Sequence, residues 1–231
     1  MDKSIKVLIF SDGHGKREKL QALENKMANY DLLLFAGDFT KFNAPETGKP
    51  YLDEILACKK PFFSVLGNCD YPELLNATRE LKCSVDACVK QYGELFITGS
   101  GGGSKFTGTT PNERSDEELV SDFVKAEKKI QAHELNPNAL IVISHNPPHQ
   151  TTLDTVPGGF HVGSKLIREF IETYQPLLHI SGHIHESIGI DKIGKTVLVN
   201  PGSLNDGRYA DCEIVKTEEG FEVRALVLRS L

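Results

Sequence analysis

Ile5-Lys6-Val7-Leu8-Ile9-Phe10-Ser11-Asp12-Gly13-His14 joins an apolar run to two metal-ligating side chains at i and i+2. The run at 7–10 shows no polar alternation, the pattern of a strand covered on both faces. Four further stretches repeat the arrangement. Residues 32–36 precede Gly37-Asp38, and 62–66 precede Gly67-Asn68-Cys69-Asp70. Residues 140–143 precede Ser144-His145-Asn146-Pro147-Pro148, and 177–180 precede Gly182-His183-Ile184-His185. Five buried strands, each ending in such residues, predict one site at one edge of a sheet.

Helical spacing of Leu20, Leu23, Met27 and Tyr30 predicts a helix over 16–30 between the first two strands. A polar loop over 39–50 and a short helix over 51–58 lead to the third strand, giving βαβαβ with parallel strands and right-handed crossovers. Next come a short helix over 72–81, strands over 85–89 and 95–98, and a mobile glycine-rich loop over 100–110. One long helix is expected over 113–134, with Leu119, Phe123, Ala126 and Ile130 on one face. The strand at 140–144 is followed by a loop over 145–163, long enough to suggest function, then a helix over 164–174 and a strand over 177–181. From 187 the period becomes two, predicting antiparallel strands over 187–193, 196–200, 211–217 and 221–228.

The 231 residues suffice for one α/β domain with a real core, and residues 1–231 read as a single domain. A net charge of −6 argues against polymeric nucleic acid or an anionic membrane as partner, while nucleotides remain suitable small substrates. Cys58, Cys69, Cys83, Cys88 and Cys212 are odd in number and form no CxxC, which points to a reducing, cytoplasmic setting. Met1-Asp2-Lys3 passes directly into a strand without a leader, and no apolar stretch approaches the ~20 residues of a membrane span.

The five clusters offer two carboxylates (Asp12, Asp38), one amide (Asn68) and four imidazoles (His14, His145, His183, His185). Divalent Lewis-acidic ions take this nitrogen and oxygen set. With Asp38 bridging, one ion would take Asp12, His14, Asp38 and His185, and the other Asp38, Asn68, His145 and His183. Spacing alone leaves open which ion His183 and His185 serve. Two ions about 3.5–4 Å apart activate water and clamp a phosphate, so the set points to phosphate-ester cleavage.

In this order and at these positions, the five motifs resemble those of the calcineurin-like metallophosphoesterase family, over about residues 5–205. The resemblance implies an α/β fold, a four-layer α/β/β/α sandwich of two mixed β-sheets flanked by helices. It also implies two divalent metal ions, manganese first, with iron, zinc, nickel or magnesium as alternatives. The ligands would be the seven residues above, with a metal-bridging hydroxide as nucleophile. Many members carry His where this chain has Cys69, and there the His contacts phosphate and assists the leaving group. The change is similar to the small YfcE-type branch, described as favouring diesters. The implied substrate is a small phosphodiester or nucleotide-like molecule.

Asn68, Cys69, Asp70, His145 and His161 are the candidate catalytic residues. Asp70 either orients neighbouring groups or caps the helix starting at Pro72. His161 either binds substrate from the rim or is a loop histidine, and His149 is a weaker candidate of the same kind. Lys105 and Arg208 are candidate phosphate contacts, Asn200-Pro201-Gly202-Ser203 a turn bracing the site, and His133 and His179 structural residues. A broad phosphomonoesterase and an interaction scaffold on the same fold are the rival readings.

Overall fold

The computed structural model describes residues 4–218 and 220–231; the expected lead-in at Met1 to Lys3 lies outside them. In chain order the strands begin β1 (Ser4–Phe10), β2 (Leu32–Phe35), β3 (Phe62–Ser64), β4 (Val89–Tyr92), β5 (Leu95–Ser100), β6 (Gly103–Ser104) and β7 (Glu113–Arg114). They continue β8 (Leu140–Ser144), β9 (Thr155–Val156), β10 (Phe160–His161), β11 (Leu178–Ile180), β12 (Gly189–Ile193), β13 (Thr196–Asn200), β14 (Arg208–Thr217) and β15 (Gly220–Ser230). The helices are α1 (Arg17–Met27), α2 (Gly48–Ala57), α3 (Pro72–Glu80), α4 (Asp116–Ser121), α5 (Val124–Gln131) and α6 (Lys165–Tyr174).

One sheet runs β15-β14-β1-β2-β3 and the other β12-β13-β11-β8-β5-β4. β1, β2 and β3 are mutually parallel, as are β5, β8, β11 and β13, while the outer partners β14, β15, β12 and β4 pair antiparallel. The strand pleat sends alternate side chains to opposite faces, which explains why apolar runs without alternation are buried here. Val7 and Ile9 join Ile141 and Ile143 in the core between the sheets. Leu8 and Phe10 pack outward with Leu20, Leu23 and Tyr51 of α1 and α2. Leu140 and Val142 pack outward with Leu119, Ile167 and Phe170 of α4 and α6. The result is the expected α/β/β/α sandwich. Among the described residues, no helix is long and apolar enough to cross a membrane.

Several local expectations are corrected. The single helix over 113–134 is instead β7, α4 and α5. Ser115 and Glu118 form a reciprocal capping box that starts α4 at Asp116. The Asp122 and Phe123 N–H groups then bond carbonyls three residues back, which breaks the helix. The strand over 85–89 begins only at Val89, because the Ser84 hydroxyl accepts the Asp86 N–H and Ala87 sits at φ 52°. Helix α2 starts at Gly48 rather than 51, after a 3-10 turn at Pro45–Thr47; Pro50 falls in its first turn, where no N–H is needed. The strand expected from 187 starts at Gly189, because the Ser187 N–H closes a turn onto Ile184. The loop over 145–163 contains the short β9–β10 hairpin.

His179 on β11 is structural, as expected. Ser144 Oγ donates to the Asn146 carbonyl at 2.7 Å and therefore accepts from His179 Nε2, also at 2.7 Å. Burial pushes the His179 pKa from 6.5 down to about 3. Below pH 6.5 the unfolded chain thus binds a proton that the folded chain refuses, so stability is lost as pH falls. The expected loss at this ring is about 1.4 kcal/mol per pH unit. Urea-unfolding midpoints should drop from about pH 7 to about pH 5, and His179→Gln should flatten that slope; an identical slope in the variant would refute the assignment.

Candidate metal centre

The parallel strands deliver their polar clusters from their carboxyl ends, where open α/β sheets bind ligands. Asp12 and His14 follow β1, Asp38 follows β2, Asn68 follows β3, His145 follows β8, and His183 and His185 follow β11. Both sheets contribute, and the side chains meet. His185 Nε2 lies 3.1 Å from Asp12 Oδ1 and 3.3 Å from His14 Nε2. His14 Nε2 lies 3.7 Å from Asp38 Oδ2, and His145 Nε2 lies 3.6 Å from the same oxygen. His145 Nε2 is also 2.9 Å from Asn68 Oδ1. Asp38 Oδ2 therefore stands between the two histidines, the position a bridging carboxylate needs.

Three groupings have ligand atoms mutually within 4.8 Å: Asp12, His14 and His185; Asp12, Asp38 and His145; and His14, Asp38 and Cys69. His183 stands outside these. Its ring packs 5.1 Å from that of His145, and its backbone N–H donates to the Asp12 carboxylate at 3.2 and 3.3 Å. His185 thus sits with Asp12 and His14, and His183 beside His145.

The donor chemistry fits a cation. His145 Nδ1 approaches the Ala36 carbonyl at 2.7 Å, so it carries the ring proton and donates. The ring's Nε2 faces two acceptor oxygens, from Asn68 and Asp38, in a buried site. Lone pairs converging in low dielectric repel unless a proton or a metal lies among them. Burial, reinforced by neighbouring His145, pushes the His183 pKa down to about 4, leaving that imidazole neutral and ready to ligate. His185 is raised to about 9 by its hydrogen bond to Asp12, a proton that an incoming cation would displace. Burial alone would raise Asp12, but the His185 hydrogen bond and the surrounding imidazoles outweigh it and hold the carboxyl below its usual range.

Asp70 orients rather than caps. Its carboxylate accepts the N–H groups of Asp38 (3.0 Å), Phe39 (3.2 Å), Thr40 (2.8 Å) and Gly67 (2.8 Å), while α3 is entered from Tyr71 without a side-chain cap. Burial first, then repulsion from Asp38, raises its pKa to about 6. Asp38 Oδ1 in turn accepts the Cys69 N–H at 2.8 Å. Gly67 permits this approach, since a Cβ there would lie 1.9 Å from Asp38 Oδ1. At Gly182 a Cβ would lie 2.5 Å from Asp12 Oδ2. Four of the seven ligand candidates, Asp12, His14, Asp38 and His183, have φ between 45° and 68°, a left-handed conformation that non-glycine residues adopt at functional sites.

The turn after β13 braces the site. Ser203 Oγ donates to the Asp12 carbonyl (2.8 Å), the Asn205 N–H bonds the same carbonyl (3.1 Å), and Asn200 Nδ2 donates to the Ile184 carbonyl (2.9 Å). His161 Nδ1 meets Asp154 Oδ1 at 2.7 Å, and His149 Nδ1 stands 3.5 Å from Asp154 Oδ2. Asp154 is fully buried and also takes the N–H groups of Gln150, Thr151 and Gly163. Sequence reading missed it; its position between the two histidines was the available signal. Lys105 lines a cleft together with Asn68 and His183, and a second one with His149 and His161. Arg208 lines none of these, and its N–H serves the Ser203 carbonyl. Gly101 to Gly103 are buried rather than a loose rim, and a Cβ on Gly103 would touch Asn68 and His183.

A layered sandwich with a carboxylate, amide and imidazole cluster at its strand ends defines the class of metal-dependent phosphoesterases. The chain belongs to the calcineurin-like phosphoesterase family, whose model matches residues 5–187. It is 34% identical over 210 residues to the uncharacterized protein MJ1162 of Methanocaldococcus jannaschii, covering 87% of this chain and 89% of that one. TT1561 of Thermus thermophilus shares the fold, with a TM-score of 0.69 at 17% identity over 96% of this chain and 98% of that one. Another solved structure overlays with a TM-score of 0.78 at 21% identity, over 99% of each chain.

Asp70→Asn would set an amide N–H₂ against backbone donors. Manganese affinity, measured by titration calorimetry, should fall about 10–100-fold, with the thermal midpoint lowered. Unchanged affinity would show that Asp70 positions nothing.

Proposed function

We propose that the chain is a metal-dependent phosphodiesterase acting on a small phosphodiester. The observation that carries this reading is the meeting of donor side chains from both sheets: His14 and His145 against the Asp38 carboxylate, Asn68 and His183 beside His145, and His185 on Asp12 and His14. Asp12, His14, Asp38 and His185 would hold one divalent ion and Asp38, Asn68, His145 and His183 the other, with manganese the first choice for this set. Bound there, the ions supply Lewis acidity, lowering the pKa of water and neutralising phosphoryl oxygens. The protein's own part is orientation. Asp70 fixes the Asp38 loop, and the Ala36 carbonyl fixes the His145 tautomer.

Two features favour a diester. Clefts of about 650 Å3 open on both flanks, one beside His14 with Lys16 and Lys41, the other beside Asn68 and His183. Each has room for an ester arm. Cys69, as in the small YfcE-type branch, cannot replace a cationic His. Burial, then the neighbouring Asp38 carboxylate, raises its thiol far above the usual range, so it stays neutral. A dianionic monoester would lose more from the missing cation than a monoanionic diester. His161, held by Asp154, lines a neighbouring cleft with Lys105 and His149. The five free thiols accord with a reducing cytoplasmic location.

Manganese-loaded protein should hydrolyse bis(4-nitrophenyl) phosphate faster than 4-nitrophenyl phosphate. Asp38→Asn should lose more activity than the ~10–100-fold that even outer partners of metal ligands carry; equal rates would end the reading. In Cys69→His, the ratio of monoester to diester turnover should rise at least about tenfold, the low end of a donor's contribution being larger still. A constant ratio would remove residue 69 from specificity.

A further inference from the structure

We propose that the cleft beside Asn68 and His183 is a nucleobase site, so that one arm of the diester is a nucleoside. This rests on the hydrolytic reading above. Asn68 and His183 place the reacting phosphate at one end of the cleft. Most of the remaining wall is apolar, from Phe106, Val156, Val162 and Ile184. Phe106 is 91% exposed, and a large apolar ring left in water at the mouth of a catalytic cleft marks a binding surface.

The ring is presented by an organised loop. The Glu113 carboxylate accepts the N–H groups of Phe106 (2.8 Å), Gly108 (2.9 Å), Thr109 (3.2 Å) and Thr110 (3.3 Å), replacing the mobile loop expected from the glycines. The facing element is organised in the same way. Val156 and Val162 bracket the hairpin whose His161 is pinned to the buried Asp154, and the Val162 N–H bonds the Asp154 carbonyl at 3.0 Å. Two carboxylates outside the metal set thus hold both apolar walls. A pre-ordered apolar slot beside a phosphate site suits a rigid planar group, which stacks at little entropic cost. Lys105 and Ser104 line the same cleft and offer polar partners to a base edge. The opposite flank, beside His14, carries Lys16, Arg17 and Lys41 with Glu18 and one phenyl ring, Phe42, so its wall is charged where this one is mainly apolar.

The test uses two esters with one leaving group: thymidine 5′-(4-nitrophenyl) phosphate and methyl 4-nitrophenyl phosphate, on the manganese-loaded full chain. The nucleoside ester should show at least about tenfold higher kcat/KM, and Phe106→Ala should narrow that ratio by most of the tenfold, the scale of one lost base–aromatic stack. Equal kcat/KM for the two esters overturns the assignment. So does a phenyl 4-nitrophenyl phosphate that matches the nucleoside ester, since a bare ring would then suffice. Binding is read separately by titrating thymidine 5′-monophosphate or 2-deoxyribose 5-phosphate into magnesium-loaded protein. Only the nucleotide should shift the methyl resonances of Val156, Val162 and Ile184. If those methyls shift while no ester is cleaved, the cleft assignment stands and the hydrolytic reading falls. If esters are cleaved without preference and the methyls stay still, the reverse holds.

Discussion

Asp70 is a buried carboxylate held by four backbone N–H groups, and the geometry around Asp38 follows from that. Burying a carboxylate is costly unless its lone pairs are filled. Here they are filled by the loop after β2 and by Gly67 in the loop after β3, so satisfying the anion fixes both loops against each other. Asp38 completes the closure by accepting the Cys69 N–H. The second sheet joins in part through His145 Nδ1, which donates to the Ala36 carbonyl and so sets both the ring's direction and its tautomer. Asp38 and His145 thus present metal-facing atoms whose other ends are already committed to backbone. This supporting shell orients ligands before any cation arrives.

Much of this was legible in the sequence. Strands covered on both faces lose their alternation, so β1, β2, β3, β8 and β11 announced themselves as apolar runs, and the polar residue after each run marked the sheet edge. All seven ligand candidates lie at that edge. Local rules failed where a distant partner decided the outcome. The helical period of 113–134 continues through Asp122, yet Arg114 takes that carboxylate and the chain breaks there. Asp70 fits an N-cap by spacing, but four backbone donors from elsewhere claim it. Glu113 escaped notice because it works by accepting backbone N–H groups, an interaction without a sequence signature, and Asp154 because only its place between His149 and His161 hinted at its role. The left-handed backbone of Asp12, His14, Asp38 and His183 was equally invisible, since nothing in those residue types requires it.

The two flanks of the site differ in kind. Beside His14 the lining mixes Lys16, Arg17 and Lys41 with Glu18 and Phe42; beside Asn68 and His183 it is more strongly apolar and rimmed by Lys105. A molecule lying across the metal centre would meet each side with a different part of itself.

The family match ends at residue 187, but the hydrogen bonding does not. Ser203 and Asn205 reach back to the Asp12 carbonyl, and β14 pairs with β1 from Ser4 to Ile9. The tail is thus the clamp on the first metal-facing turn. Removing it would free the Asp12 carbonyl and strip one edge from β1 together, so a protein trimmed to the matched segment would be an unlatched version of the same machine.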